Sequence, residues 1–358
     1  MPLGGPAAGP ATPYLHVDLV RLRANILRVA DEAAARGVAL RPHVKTHKSM
    51  DIARLQLAAG AVGITVATLG EAETFVRLGV RDVFVAYPLW LEEGTAGRLR
   101  DLTGDARVAI GVDSVAGAAR VGRLLGGTAV EVLVEVDCGH HRTGVAPEEA
   151  GTVAQAARRT GLAVRGVFTF PGHSYAPDAT RSAAADEAAA HATAAQALRA
   201  PGIEPRVVSG GSTPSLGHTD VGVVTELRPG VYVFGDAQQW ELGTTTPERI
   251  ALSCRATVVS HAGGRLVLDA GSKVLGADRA AYASGFGRLP AHPDARVVLL
   301  SEHHAVVDLA GAPLPELGSR VDVVPNHVCA AVNLVDDLYV EEAGQLRPWP
   351  VTARGLNG

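Results

Sequence analysis

A chain of 358 residues, 47% of them hydrophobic and with a formal charge of −4, can bury a large core and exceeds one average domain, so one large domain with a smaller companion is the expected layout. No block of five or six basic residues occurs, which removes the usual electrostatic partner of nucleic acid or anionic lipid and favours a small-molecule substrate. The opening MPLGGPAAGP lacks the charged and apolar regions of a secretory signal, no run of roughly 18 apolar residues predicts a membrane span, and Cys138, Cys254 and Cys329 cannot frame a chain of this length with disulfides. The expectation is a soluble protein of the cytoplasm, a reducing compartment. The basic residues are unevenly chosen: of 33, only Lys45, Lys48 and Lys273 are lysines. A guanidinium cannot form an imine, so an arginine-using chain keeps lysine where it needs a nucleophilic amine, although codon bias alone produces the same skew.

Asp18 caps a helix in which Leu19, Leu22, Ile26, Val29 and Ala33 recur at spacings of three and four, and Gly37 closes it. VALRPHVK (38–45) then reads as the first of eight strands, followed by 62–67, 82–86, 107–112, 130–136, 163–168, 206–209 and 231–234. Helical runs such as 114–125, 147–160 and the alanine-rich 180–199 lie between them. This alternation predicts an α/β fold, a (β/α)8 TIM-type barrel over 15–244, in preference to an open doubly wound sheet. From about Ile250 the texture changes to short Val/Leu-rich runs, ALSCRATVVS, GRLVLDAG, ARVVLLS, AVVDLAG and SRVDVVP. These predict an antiparallel β domain at 245–358; whether leader residues 1–14 join it the sequence leaves open.

In RPHVKTHK, His43, Lys45 and His47 alternate and are expected to face one side of the first barrel strand. Lys45 falls at its carboxyl end, where barrel enzymes carry their active sites and a partly dry lysine can form a Schiff base. SGGSTP (209–214) follows the seventh strand, and LRPGVYVFGD surrounds the eighth. Gly210 and Gly211 can turn backbone N–H groups onto an anion, and Ser212, Thr213 and Tyr232 can add hydroxyl donors, which implies a phosphorylated ligand. Taken singly, the two motifs fit equally an ordinary strand-end lysine and a glycine-rich turn beside a core tyrosine. On one barrel rim, an imine-forming lysine and a phosphate cradle are the two anchors that pyridoxal phosphate requires. PNHVC adds His327 and Cys329, two residues apart. In an extended segment they would present imidazole and thiolate to one point, a soft, zinc-like set with positions left for substrate and water. A purely structural role fits these two residues as well.

RPHVKTHKS, DCGHHRTGV, GHSY, SGGSTP, ELRPGVYVF and PNHVC follow one another along the chain. With these motifs in this order, from about residue 12 to residue 340, the chain resembles the D-serine dehydratase and D-threonine aldolase group of fold-type III pyridoxal phosphate enzymes. The resemblance implies an alanine racemase-type barrel plus a β domain, assembled as a homodimer. It implies Lys45 as the Schiff-base lysine, Arg142 beside the cofactor ring near its phenolic oxygen, and Tyr175 facing the pyridine nitrogen. Members similar to D-serine dehydratase carry His-x-Cys where the aldolase pair is His-x-Asp, so His327 and Cys329 imply Zn2+ and tilt the expectation toward dehydration. The expected activity is that of a lyase on D-3-hydroxy amino acids, D-serine first, yielding pyruvate and ammonia. A D-threonine aldolase and a non-catalytic pyridoxal phosphate-binding protein are the alternatives, the latter disfavoured by the extra domain and PNHVC. Two departures leave the substrate open: Ala330 stands where the dehydratases usually have proline, and EHHA (302–305) replaces EHG, leaving the roles of His303 and His304 undecided.

Overall fold

The computed structural model describes residues 10–358; leader residues 1–9 lie outside the described residues. Two compact units divide the described residues: a barrel unit of Ile26–Lys45, Ile52–Tyr232 and Leu356–Gly358, and a β unit of the described residues up to Asn25, Thr46–Asp51 and Val233–Gly355. Strand β1 (Tyr14–Asp18) leads directly into the helix Leu19–Ala35, where Asp18 Oδ1 accepts the Arg21 N–H at 3.0 Å. Leu19, Leu22, Ile26, Val29 and Ala33 are all buried, as their spacing predicts.

The barrel unit is built on eight parallel strands: β2 (Ala39–Leu40), β3 (Ile64–Val66), β4 (Asp82–Pro88), β5 (Arg107–Val112), β6 (Glu131–Glu135), β7 (Ala163–Phe168), β8 (Val207–Gly210) and β9 (Glu226–Leu227). Their order is β2-β9-β8-β7-β6-β5-β4-β3, and a parallel bridge between His43 and Thr65 joins the two ends. The TIM-type barrel is thus present. Parallel strands covered on both faces read as continuous apolar runs, and VAIGV of β5 and VLV of β6 are buried throughout. Inside, Phe84, Ala109, Leu133 and Phe168 form one cluster, the two phenyl rings meeting edge to face at 5.0 Å.

Two strand ends depart from expectation, both for the same reason. The ladder of β2 stops at Leu40 instead of reaching residue 45, because Pro42 has no N–H to give and the chain coils into a 3-10 turn at Val44–Thr46. The eighth strand is Glu226–Leu227, upstream of the expected 231–234; Pro229 and Gly230 end it, and Val231–Val233 is another 3-10 turn.

In the β unit, β1 joins β10 (Leu252–Ser260), β11 (Leu266–Leu268), β12 (Gly287–Leu289), β13 (His292–Leu300), β14 (Ala305–Asp308), β15 (Arg320–Pro325), β16 (Asp337–Glu342) and β17 (Gln345–Pro350). The nine strands run β11-β14-β13-β12-β15-β10-β1-β16-β17, and an added β10–β11 pairing closes the first six into a ring. Pairing is antiparallel except between β1 and β16. Alternation sets the faces: Leu252, Cys254, Ala256 and Val258 of β10 are buried while the residues between them are not. Among the described residues no helix is long and apolar enough to cross a membrane.

Candidate active site

The turn that ends β2 brings His43 and Lys45 to a cavity of about 380 Å³ in the barrel unit, which Tyr87, Arg142, Phe170 and Arg228 also line. His47 does not share it. It is fully buried in the β unit, with Nδ1 accepting the Ser49 N–H at 3.1 Å. The two-residue periodicity that would have aligned it with Lys45 ends where the turn begins.

Phe170 is the hub of this cavity. Lys45 Nζ lies 5.9 Å from its ring centroid and the Arg142 guanidinium 4.9 Å. His140 meets the ring edge-on at 5.4 Å, and the Tyr175 ring stands 6.3 Å away, tilted by 43°. Lys45, Arg142 and Tyr175, which come from three separate motifs, therefore converge on one aromatic side chain that the motifs do not contain. Phe170 follows β7 in FTFPG, where it reads as the tail of a strand. Arg228 completes the floor: it is 6% exposed and lies 5.7 and 5.4 Å from the Phe84 and Phe168 rings, within cation–π range.

The SGGSTP loop leaves β8 with Gly211 at φ +83°. Ser212 Oγ shares hydrogen bonds of 2.8 Å with Ser174 Oγ and with Ser215 Oγ, and Thr213 Oγ1 accepts the Tyr232 N–H at 3.2 Å. The buried Tyr232 phenol accepts from Gln56 Nε2 at 2.9 Å and keeps its own hydrogen for an acceptor. Burial pushes this phenol well above the ordinary tyrosine range, so it stays a donor. The glycines serve differently from the expected cradle. The Gly211 N–H is committed to Glu187 Oε1 at 2.8 Å. A Cβ on Gly210 would fall 2.5 Å from that oxygen and 2.8 Å from His191 Nε2. Arg228 links loop and cavity, giving its backbone N–H to Gly210 O at 2.9 Å and its Nε–H to Ser209 Oγ at 2.8 Å. A half-buried amine beside an aromatic wall, a guanidinium and a nearby group of hydroxyls fits pyridoxal phosphate, with its aldehyde, ring oxygen and phosphate respectively.

In the β unit, His327 is the N-cap of the short helix Val328–Val332, so PNHVC is a helix start and not the expected extended segment. His327 and Cys329 still reach each other: the Cys329 side chain, as its largest influence, pushes the imidazole up to about 9 against the opposing effect of burial. Cys329 Sγ also lies within hydrogen-bond distance of Thr46 Oγ1, at 3.3 Å. Behind them lies Asp236, which was not expected from the motif. Its buried carboxylate accepts the Val328 N–H at 3.2 Å and the Gln239 N–H at 2.8 Å, and stands 3.7 Å from His327 Nδ1. Burial raises Asp236 to about 6, with His327 opposing. Among the described residues no group of three or more His, Cys, Asp or Glu side chains is arranged around an ion. The donor chemistry of the pair, one imidazole and one thiol, fits a thiophilic ion with its other positions left to substrate and water. His303 and His304 are both exposed in the turn between β13 and β14.

The model of the alanine racemase N-terminal domain matches residues 17–238, and that of a serine dehydratase domain matches residues 251–341. Over 350 residues, 89% of this chain and 91% of the relative, the sequence is 37% identical to a D-threo-3-hydroxyaspartate dehydratase of Delftia sp. (strain HT23). It is 34% identical to a D-threonine aldolase of Arthrobacter sp., over 99% of this chain and 95% of the relative. The solved structure of the Delftia dehydratase superimposes with a TM-score of 0.89 at 33% identity, covering 96% of this chain and 97% of its own. A cysteine-to-alanine variant of that enzyme in a metal-free form and a histidine-to-alanine variant are similarly close, each with a TM-score of 0.88. The chain therefore belongs to the family of D-serine dehydratase and D-threonine aldolase, fold-type III pyridoxal phosphate enzymes that join an alanine racemase-type barrel to a serine dehydratase domain.

Proposed function

We propose that the protein is a pyridoxal phosphate- and zinc-dependent lyase that dehydrates D-3-hydroxy amino acids, with D-serine, converted to pyruvate and ammonia, as its first substrate. The observation that carries dehydration is the His327–Cys329 pair, a soft imidazole–sulfur set whose two side chains lie close enough to interact directly. His-x-Cys is the combination that accompanies dehydration in the family it resembles. In the Delftia dehydratase the two substituted residues are likewise a histidine and a cysteine two positions apart, and the cysteine variant is the one described as metal-free.

Pyridoxal phosphate, held by Lys45, by Arg142 and Tyr175 and by the hydroxyls of Ser212, Thr213 and Tyr232, supplies the electron sink that makes a substrate Cα–H bond acidic. Zinc, held by His327 and Cys329, supplies a Lewis acid for the β-hydroxyl. Lys45 Nζ takes the proton from Cα. Phe170, packed against both Lys45 and Arg142, shields that transfer from bulk water. Loss of the β-hydroxyl removes water, and hydrolysis of the resulting enamine returns it and releases ammonia. A second substrate in this reading is a hydroxyaspartate such as D-threo-3-hydroxyaspartate, after which the Delftia relative is named.

The working form in this reading is a homodimer, on the strength of the family resemblance, placed in the cytoplasm without nucleic-acid or membrane partners on the strength of its charge and composition. The test is product analysis of the holoenzyme with D- and L-serine, D-threonine and D-threo-3-hydroxyaspartate, with chelator and with restored zinc. Ketoacid and ammonia from the D-isomers, lost on chelation, are expected. Glycine and an aldehyde as products would make it an aldolase, and no turnover of any member would make it a cofactor carrier.

A further inference from the structure

We propose that Glu187, backed by His191, is a positioning residue for the phosphate end of the cofactor: it braces the SGGSTP loop from the helix side without touching the ligand. The inference rests on the reading that this loop and Tyr232 hold the phosphate. Both residues lie on the helix Thr180–Arg199, four positions apart and so on one face. They are 1% and 0% exposed.

Their hydrogen bonds all run toward the loop or the cavity floor. Glu187 Oε1 accepts from Thr169 Oγ1 at 2.6 Å and from the Gly211 N–H at 2.8 Å, and Thr169 Oγ1 lies 3.0 Å from His191 Nε2. The Thr169 carbonyl accepts from Arg228 Nη2, and Arg228 in turn holds Ser209 and Gly210. One carboxyl group thus fixes the loop at Gly211 and, through Thr169 and Arg228, the end of β8 as well.

Packing alone does not explain these residues. The helix is alanine-rich, and Ala183, Ala184, Ala190, Ala194 and Ala195 fill its buried face. A carboxyl and an imidazole in such a place lose hydration that apolar side chains would not lose. Glu187 Oε2 and His191 Nδ1 are buried without a hydrogen-bond partner among the described residues. Burial pushes the Glu187 carboxyl up and the His191 imidazole down to about 3, so the imidazole backs the carboxyl as a neutral group and not as an ion-pair partner. What Glu187 contributes in return is an acceptor for the N–H of a left-handed residue, Gly211, which no strand neighbour supplies. Gly210 is glycine for the same reason, since a methyl group there would collide with both brace atoms.

The experiment compares binding of pyridoxal phosphate and of pyridoxal, which lacks the phosphate, to the full-length chain stripped of cofactor. Glu187→Ala should weaken pyridoxal phosphate by roughly tenfold, equivalent to about 1.4 kcal/mol, and leave pyridoxal unchanged. Glu187→Gln should bind both like the wild type, because the amide oxygen can accept both hydrogen bonds. Thr169→Val, which removes only one hydroxyl from the same carboxyl, serves if Glu187→Ala does not fold, and should show the same selective loss. Equal weakening of both ligands, or no weakening of either, overturns the positioning role. Tyr232→Phe separates the two ideas: if it lowers the preference for the phosphate form and Glu187→Ala does not, the brace is wrong and the loop assignment stands. If Tyr232→Phe has no effect either, the loop assignment itself fails.

Discussion

The two units assemble reactive groups in opposite ways. In the β unit, His327 and Cys329 come from one five-residue motif, and their meeting is local, set by a helix N-cap with a single buried carboxylate, Asp236, behind it. In the barrel unit, Lys45, Arg142, Phe170 and Arg228 come from four distant segments. They converge because parallel strands deliver their carboxyl ends to one rim, and a network through Thr169 and Glu187 supports them. A local pair can be altered without disturbing its surroundings, whereas a converged site passes each loss on to its neighbours.

The largest expected effect tests the converged site at its reactive amine. Lys45→Ala should lower ketoacid formation by at least about 10³-fold, within the range for removing a catalytic base, and abolish the borohydride-reducible link to the cofactor. Peptide mapping after reduction of the wild type should find the pyridoxyl group on Lys45. Finding it on Lys48, which donates to Asn333 Oδ1 at 2.8 Å in the β unit, would end the barrel assignment. Next in size is the local pair: Cys329→Ser, or chelation, should reduce ketoacid formation by roughly 10²-fold, the several kcal/mol that a Lewis acid supplies. Cofactor absorbance should persist, and a variant that also loses its cofactor would show that the pair is not independent of the barrel. Tyr232→Phe should weaken cofactor binding by roughly tenfold, the loss of one charge-assisted donor. An unchanged dissociation constant would remove Tyr232 from the site.

The smallest effect at neutral pH concerns the brace itself. Burial, aided by Arg228, holds His191 down to about 3, so the native state resists a protonation that the unfolded chain accepts. A depressed native value means that the contribution to stability is full above about pH 6.5 and is lost as the pH falls, at no more than about 1.4 kcal/mol per pH unit. Urea unfolding of His191→Gln between pH 7 and 4 should show a shallower decline than the wild type. Parallel declines would mean that His191 does not remain neutral in the fold.

What the sequence revealed follows the same division. Strand–helix alternation, the Asp18 cap and the change of texture near Ile250 are local patterns and appear in the structure where they were read. Lys45, Arg142 and Tyr175 were accessible because each lies in a motif of its own. Phe170 was not, since a phenylalanine after a strand looks like core until distant segments bring cations to its ring. Glu187 and His191 were hidden differently: in an alanine-rich helix the apolar stripe is faint, and polar residues read as solvent-facing. Pro42 and Pro229 account for the two misplaced strand ends, because missing N–H groups override apolar runs that otherwise suit a ladder.

Strand β17 carries a consequence for the behaviour of the protein at high concentration. Among the described residues it pairs with β16 alone, so its other side is an open edge beside a ring that has none. The Val351 N–H bonds inward to Asp336 O; residues of the opposite parity, Pro348 and Pro350, therefore turn their nitrogens outward. Those nitrogens bear no hydrogen, so the edge offers a visiting strand few donors and resists templating a second chain. Replacing both prolines with threonine would leave the β16–β17 ladder intact and make that edge adhesive, a change that would appear as concentration-dependent fibre or aggregate formation by a fully folded enzyme.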